Sequence, residues 1–217
     1  MIQAVIFDMD GLLIDSEPLW VKIELEVFGA LGVPLTTAMS QQTMGLRADE
    51  VVRYWHHRYP WDKPSQKEVA ELILEKMIEQ VRNADIALPG VDHAFAIIQE
   101  AGLPIAIASS SPTKMIEAVT KNLAIQGNIK LIKSAEHEKY GKPHPDIYIH
   151  TAEGLGIAPE HCLAFEDSIN GVIAAKAAKM RCIAIPAPDF RANKAYGITD
   201  DVLDSLEELT AAHLAMY

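Results

Sequence analysis

Ala4-Val5-Ile6-Phe7-Asp8-Met9-Asp10-Gly11 is the stretch that decides how this chain is read. Four consecutive apolar residues form a continuous run, as expected of a strand covered on both faces of a parallel sheet. The run ends in two carboxylates two residues apart. In an open parallel sheet, ligands gather beyond the carboxyl ends of the strands. Asp8 and Asp10 therefore mark the edge where chemistry is to be sought, and both can reach one site as the strand frays.

Comparable runs recur at residues 105–108, more weakly at 129–132, and at 162–165 and 182–185. Between them lie amphipathic helix candidates at 91–101, 114–122, 145–155 and 168–179. This alternation predicts an α/β fold, a Rossmann-like parallel sheet with right-handed crossovers. One block departs from it. Residues 19–81 show only helical periodicity, broken at Gly32-Val33-Pro34 and at 59–64. We read residues 16–85 as an inserted α-helical domain, with the core built from 1–15 and 86–217. Asp15-Ser16 and Leu88-Pro89-Gly90 would then form a two-stranded hinge.

The composition limits the function. With 217 residues, 49% of them hydrophobic, the chain can bury a full core. The formal net charge of −11, without a long basic run, argues against a nucleic-acid partner. No window approaches the ~20 apolar residues of a membrane span. The opening MIQAVIF lacks the charged region and cleavage site of a leader. Cys162 and Cys182 are too few for a disulfide framework, which fits a cytoplasmic protein. A monomer is the default expectation. The glycines make neither a P-loop nor a GxGxxG turn, and the eight histidines show no ligand spacing.

The residues following the other runs are chemically coherent with the two aspartates. Ser109, Ser110 and Ser111 follow the second run, Glu166 and Asp167 the fourth, and Lys142 lies in the loop after the third. Clustered carboxylates favour a hard divalent cation, and Mg2+ fits best, since one or two carboxylates, waters and phosphate oxygens commonly hold it. Two unit charges ~4 Å apart repel by ~4 kcal/mol at an effective dielectric near ~20. A carboxylate attacking a phosphate dianion meets that repulsion, which a metal and Lys142 would offset. Ser111-Pro112 reads as an N-cap with proline at the first helical position, putting the serines beside amides that favour anions. Ser168 reads as the cap of a helix carrying Asn170 and Gly171. Singly, each feature has a plainer reading as a cap, a helix-start acid or a solvated lysine. Their occurrence at successive strand ends is what makes them a site.

These residues also carry a resemblance. Residues 7–16, FDMDGLLIDS, resemble the first motif of the haloacid dehalogenase superfamily. Residues 105–109, Lys142-Pro143 and Glu166-Asp167-Ser168 resemble its second, third and fourth motifs, in order, and the insert is similar to its helical cap. The resemblance implies that Asp8 forms an aspartyl-phosphate, and that Asp10 protonates the leaving alkoxide and then activates water. It implies Ser109 and Lys142 as phosphoryl-binding residues, with Ser110 and Asn170 beside them. It also implies Asp8, the Asp10 carbonyl and Asp167 as magnesium ligands, with Glu166 acting through water. The acid at Asp10 points to phosphoryl transfer, because expelling a halide needs no proton. Mutases of the β-phosphoglucomutase type carry a histidine where this chain has Trp20. Gly45-Leu46-Arg47 resembles a cap loop whose arginine meets the substrate. The stretches DGLLIDSEPLW, RYPWDKPS, KPHP and EDSINGVIAAKAAKMR resemble the sugar- and hexitol-phosphate phosphatases of the superfamily. They imply small sugar or polyol substrates such as phosphates of 2-deoxyglucose, sorbitol or mannitol. A sugar phosphomutase and a non-catalytic acidic binding module stand as alternatives.

Overall fold

The computed structural model describes residues 1–82 and 84–215. Its centre is a six-stranded parallel sheet made of β1 (Ala4–Phe7), β2 (Ile105–Ser109), β3 (Ile129–Ser134), β4 (Cys162–Glu166), β5 (Arg181–Ala184) and β6 (Asp201–Val202). The strand order is β3-β2-β1-β4-β5-β6. The chain thus starts in the middle, fills one side, crosses over and fills the other, so the order reverses beside β1. Phe7 is opposite Ile107 on one side and Phe165 on the other. That register brings Asp8, Ser109 and Glu166 out at the same edge.

The continuous apolar runs follow from burial on both faces. On one face Phe7 stacks between Phe95 and Phe165, with ring centroids 5.3 and 5.0 Å away. On the other, Ala4, Ala106, Ala108 and Ala164, around Ile6, present small side chains that let helices approach closely. β3 is only half-buried and carries Lys130 and Lys133, as suits an edge strand, which is why its sequence signal is weak. β6, two residues long, has no apolar run to announce it.

Four helices leave the chain after β1: α1 (Glu17–Ala30), α2 (Thr37–Ser40), α3 (Ala48–Arg58) and α4 (Gln66–Val81). They pack around Phe28, Val52, Trp55, Ile73 and Met77, all buried. Gly32, at φ +77°, takes the left-handed conformation just past α1, where a side chain would be strained. α4 opens in a reciprocal cap, Ser65 Oγ accepting from Glu68 N at 3.3 Å while Glu68 Oε2 accepts from Ser65 N at 2.8 Å. The two segments joining this helical unit to the sheet run side by side: Asp15 N donates to Ile86 O (2.8 Å) and Leu88 N to Leu13 O (3.0 Å).

The remaining helices, α5 (Val91–Glu100), α6 (Thr113–Asn122), α7 (Asp146–Leu155), α8 (Ile169–Ala177) and α9 (Ala211–Ala215), belong to the sheet layer. The start of α6 differs from the sequence expectation. Pro112, not Ser111, occupies the N-cap with extended backbone, and Glu136 Oε1 accepts the Thr113 amide at 2.9 Å. Ser111 is turned elsewhere. Ser168 does cap α8, accepting from Gly171 N at 3.1 Å. Among the described residues no helix is long and apolar enough to cross a membrane.

Candidate active site

Asp8 stands one residue past β1, kept in register by its amide donating to Phe165 O at 3.0 Å. Lys142 Nζ lies 2.6 Å from Asp8 Oδ1 and 2.6 Å from Glu166 Oε1, with all three side chains buried. Tyr148 donates its hydroxyl to the same Glu166 oxygen at 2.5 Å. Burial pushes the Asp8 carboxyl up to about 7, against the pull of Lys142 and with repulsion from Glu166 and Asp10 adding to it. Burial likewise lifts Asp167 well above the carboxylate range, helped by Glu166 and Asp8. Burial alone would lower Lys142, but Asp8 and Glu166 outweigh it and hold the ammonium above its ordinary value.

Oxygen atoms of Asp8, Glu166 and Asp167 lie within 4.8 Å of one another. Three buried carboxylates against one ammonium leave negative charge uncompensated, and an all-oxygen donor set of this kind fits a hard divalent cation. The backbone is shaped around the cluster. At Gly11, with φ +74°, a Cβ would fall 2.2 Å from Asp167 Oδ2, so only glycine lets the chain pass there. At Gly171 a Cβ would collide with the Glu166 carboxylate, which the first turn of α8 crowds. Tyr196 steadies the next peptide by donating to Asp167 O at 2.6 Å.

Asp10 has the opposite surroundings. Its Oδ1 accepts from Ser16 Oγ (2.7 Å) and Trp20 Nε1 (3.1 Å), and its Oδ2 from Ser111 Oγ (2.7 Å). Two aspartates two residues apart are thus held by different partners, Asp8 by a buried cation and Asp10 by three neutral donors.

A cavity of about 60 Å³ separates the sheet edge from the helical unit. Asp8, Asp10, Ser109, Ser110, Lys142 and Asp167 line its floor, so six of the residues expected from sequence come together. Ser109 Oγ accepts from Ser111 N at 3.0 Å, and Ser110 Oγ donates across to Gly45 O at 2.9 Å. Asn170 and Arg47 lie off that lining. Asn170 Nδ2 donates to Met44 O at 3.0 Å, bridging the two units. Arg47 Nη1 donates to Ala135 O (3.0 Å) and Glu138 O (2.7 Å), while Nε and Nη2 meet Asp49. With Glu50 Oε1 accepting from Gly141 N at 3.2 Å, these contacts close the helical unit onto the sheet.

The roof supplies Glu17, Glu24, Ser40 and Thr43, which sequence reasoning passed over, together with Trp20, singled out there only as standing in place of a mutase histidine. Burial pushes both Glu17 and Glu24 up to about 7, and Asp10 and Glu24 repel Glu17 further. Their spacing, i, i+3 and i+7 along one helix face, was a usable signal. Ser111 offered none, because Ser-Pro reads as a cap.

Fold and site together define a class: the chain belongs to the haloacid dehalogenase-like hydrolases, whose family model matches residues 2–179. It is 45% identical over 214 residues to hexitol phosphatase B of Escherichia coli K12, covering 98% of this chain and 96% of that one. The structure of CbbY from Rhodobacter sphaeroides in complex with phosphate superposes with TM-score 0.89 at 28% identity, covering 99% of this chain and 100% of that one. β-Phosphoglucomutase from Clostridium difficile shares the fold with TM-score 0.88 at 22% identity, covering 100% of this chain and 96% of the other. The chain is a phosphatase, a phosphoric monoester hydrolase of this family.

Proposed function

We propose that the chain hydrolyses phosphate esters of small sugars or sugar alcohols, of the 2-deoxyglucose 6-phosphate or hexitol phosphate type, through an aspartyl-phosphate on Asp8. The observation that carries this reading is the contrast between the two aspartates. Asp8 faces Lys142 at the floor of the cavity, placed to attack phosphorus, with Lys142 and Ser109 available to the phosphoryl oxygens. Asp10, held by Ser16, Trp20 and Ser111, is free of that cation and serves as acid toward the leaving alkoxide, then as base toward water. The residues that would hold Mg2+ are Asp8, Asp167 and the Asp10 carbonyl, with Glu166 behind a water. When bound, the ion would offset the charge that three carboxylates and a phosphate dianion bring together. Hexitol phosphatase B, at 45% identity, supports the substrate class.

The phosphomutase reading needs a group on the helical unit that can exchange a proton with a second sugar hydroxyl. Trp20 stands there, and an indole N–H donates but does not titrate. Its hydrogen bond to Asp10 favours hydrolysis as the outcome. The test is phosphate release from p-nitrophenyl phosphate and a panel of sugar and hexitol phosphates with Mg2+. We expect release with the wild type, abolition in Asp8→Asn, and a loss of about 10²–10⁴ in kcat for Asp10→Asn. No release with any ester, or isomerised sugar phosphate exceeding free phosphate, refutes the proposal.

A further inference from the structure

Helix α1 shows the cavity a polar set that the chemistry at Asp8 does not use. Trp20 is tied to Asp10, and Glu24 lies one turn beyond it, about 6 Å farther along the helix at ~1.5 Å per residue. Glu24 is only 6% exposed, although its neighbours Ile23, Val27 and Phe28 form the apolar core of the helical unit. Ser40 Oγ donates to its Oε2 at 2.5 Å, and Ser40 is itself fixed by Thr43 Oγ1 donating to Ser40 O at 2.9 Å. Among the described residues no donor reaches Glu24 Oε1, and none reaches either oxygen of Glu17. Glu17 lies within electrostatic reach of both Asp10 and Glu24, so the carboxylates step away from the reaction centre along one helix face.

Among the described residues the one buried side-chain polar atom without a partner is Trp55 Nε1, so Glu24 Oε1, which has no donor, is open to the cavity that Glu24 lines. A carboxyl group accepts from hydroxyls when ionised and also donates to them when protonated, so this wall complements hydroxyl groups and offers a phosphate no cation. The phosphoryl group is thereby confined to Lys142 and Ser109, and the rest of the ester must extend along α1. We infer that Glu24, backed by Ser40 and preceded by Glu17, reads hydroxyl groups of the substrate's carbon chain on the side away from the ester. It selects polyhydroxylated chains of several carbons over short or unhydroxylated phosphate esters. This inference rests on the phosphatase reading above.

The test compares kcat and KM for sorbitol 6-phosphate, glycerol 3-phosphate and p-nitrophenyl phosphate in the wild type, Glu24→Gln and Ser40→Ala, with saturating Mg2+. In Glu24→Gln, kcat/KM for sorbitol 6-phosphate is expected to fall at least about tenfold further than for p-nitrophenyl phosphate, because the amide offers one acceptor fewer. The loss should lie mainly in KM. Ser40→Ala should shift the same ratio in the same direction by a smaller factor, and it decides the matter if Glu24→Gln does not fold. Equal losses on all three esters, or an unchanged ratio in both variants, overturn the inference while leaving the phosphatase reading intact. A wild type that hydrolyses none of the three overturns that reading itself.

Discussion

Lys142 is the residue on which the floor of the site depends. Replacing it leaves Asp8 and Glu166 facing each other in a buried space without their shared cation. Lys142→Met should therefore lose about 3–5 kcal/mol of stability, read from urea unfolding, along with its activity; a variant as stable as wild type would contradict the pairing. Gly11 makes a sharper claim. A Cβ at 2.2 Å from Asp167 Oδ2, at φ +74°, forces either the backbone or the carboxylate aside. Calorimetric titration of Gly11→Ala with Mg2+ should show affinity reduced about 10–100-fold, and unchanged affinity would remove Asp167 from the ligand set. At this scale the floor was legible in the sequence, because Asp8, Ser109, Lys142 and Asp167 each follow a recognisable run. Glu24 was legible only in part: its spacing from Glu17 and Trp20 marks a shared helix face, but not whether that face lines a cavity or meets solvent.

Among the elements, α1 has a pH signature. Burial lifts the Glu24 carboxyl from its ordinary 4.5 to about 7, so the fold favours its protonated form. That contribution to stability is complete below about 4.5 and is lost as pH rises through about 7, to a limit of ~3 kcal/mol. Glu24→Gln cannot titrate. Its Tm relative to wild type should climb between pH 5 and pH 7 and level off above; a difference that stays flat with pH would show Glu24 ionising normally. The edge strands teach a related lesson about elements. β3 was faint and β6 silent because a strand at the margin of a sheet has one covered side fewer and loses the continuous apolar run that marked β1, β2 and β4.

For the molecule as a whole, closure of the helical unit is the governing feature. Arg47, expected from sequence at the substrate, here grips the carbonyls of Ala135 and Glu138 on the sheet side. If it acts as a latch, Arg47→Ala should lower kcat/KM at least about tenfold on every ester alike, the lower end of what a single bond from a charged donor is worth. A changed ranking among sugar and hexitol phosphates would instead show that the guanidinium leaves the loop to meet substrate.

The sequence by itself determined the parallel sheet, the helical insertion after β1 and the set of acids and bases at the strand ends, because apolar periodicity and strand-end position are local properties. Only the tertiary structure decided which of those groups share a partner. It set Lys142 between Asp8 and Glu166, turned Ser111 to Asp10 instead of capping α6, and gave Arg47 to the closure. Those choices depend on how far apart two chain-distant side chains come to rest and how much water is left between them, which no single stretch of sequence encodes. For the Asp8–Asp10 pair, the residues alone could name the two carboxylates, and the fold assigned them opposite surroundings.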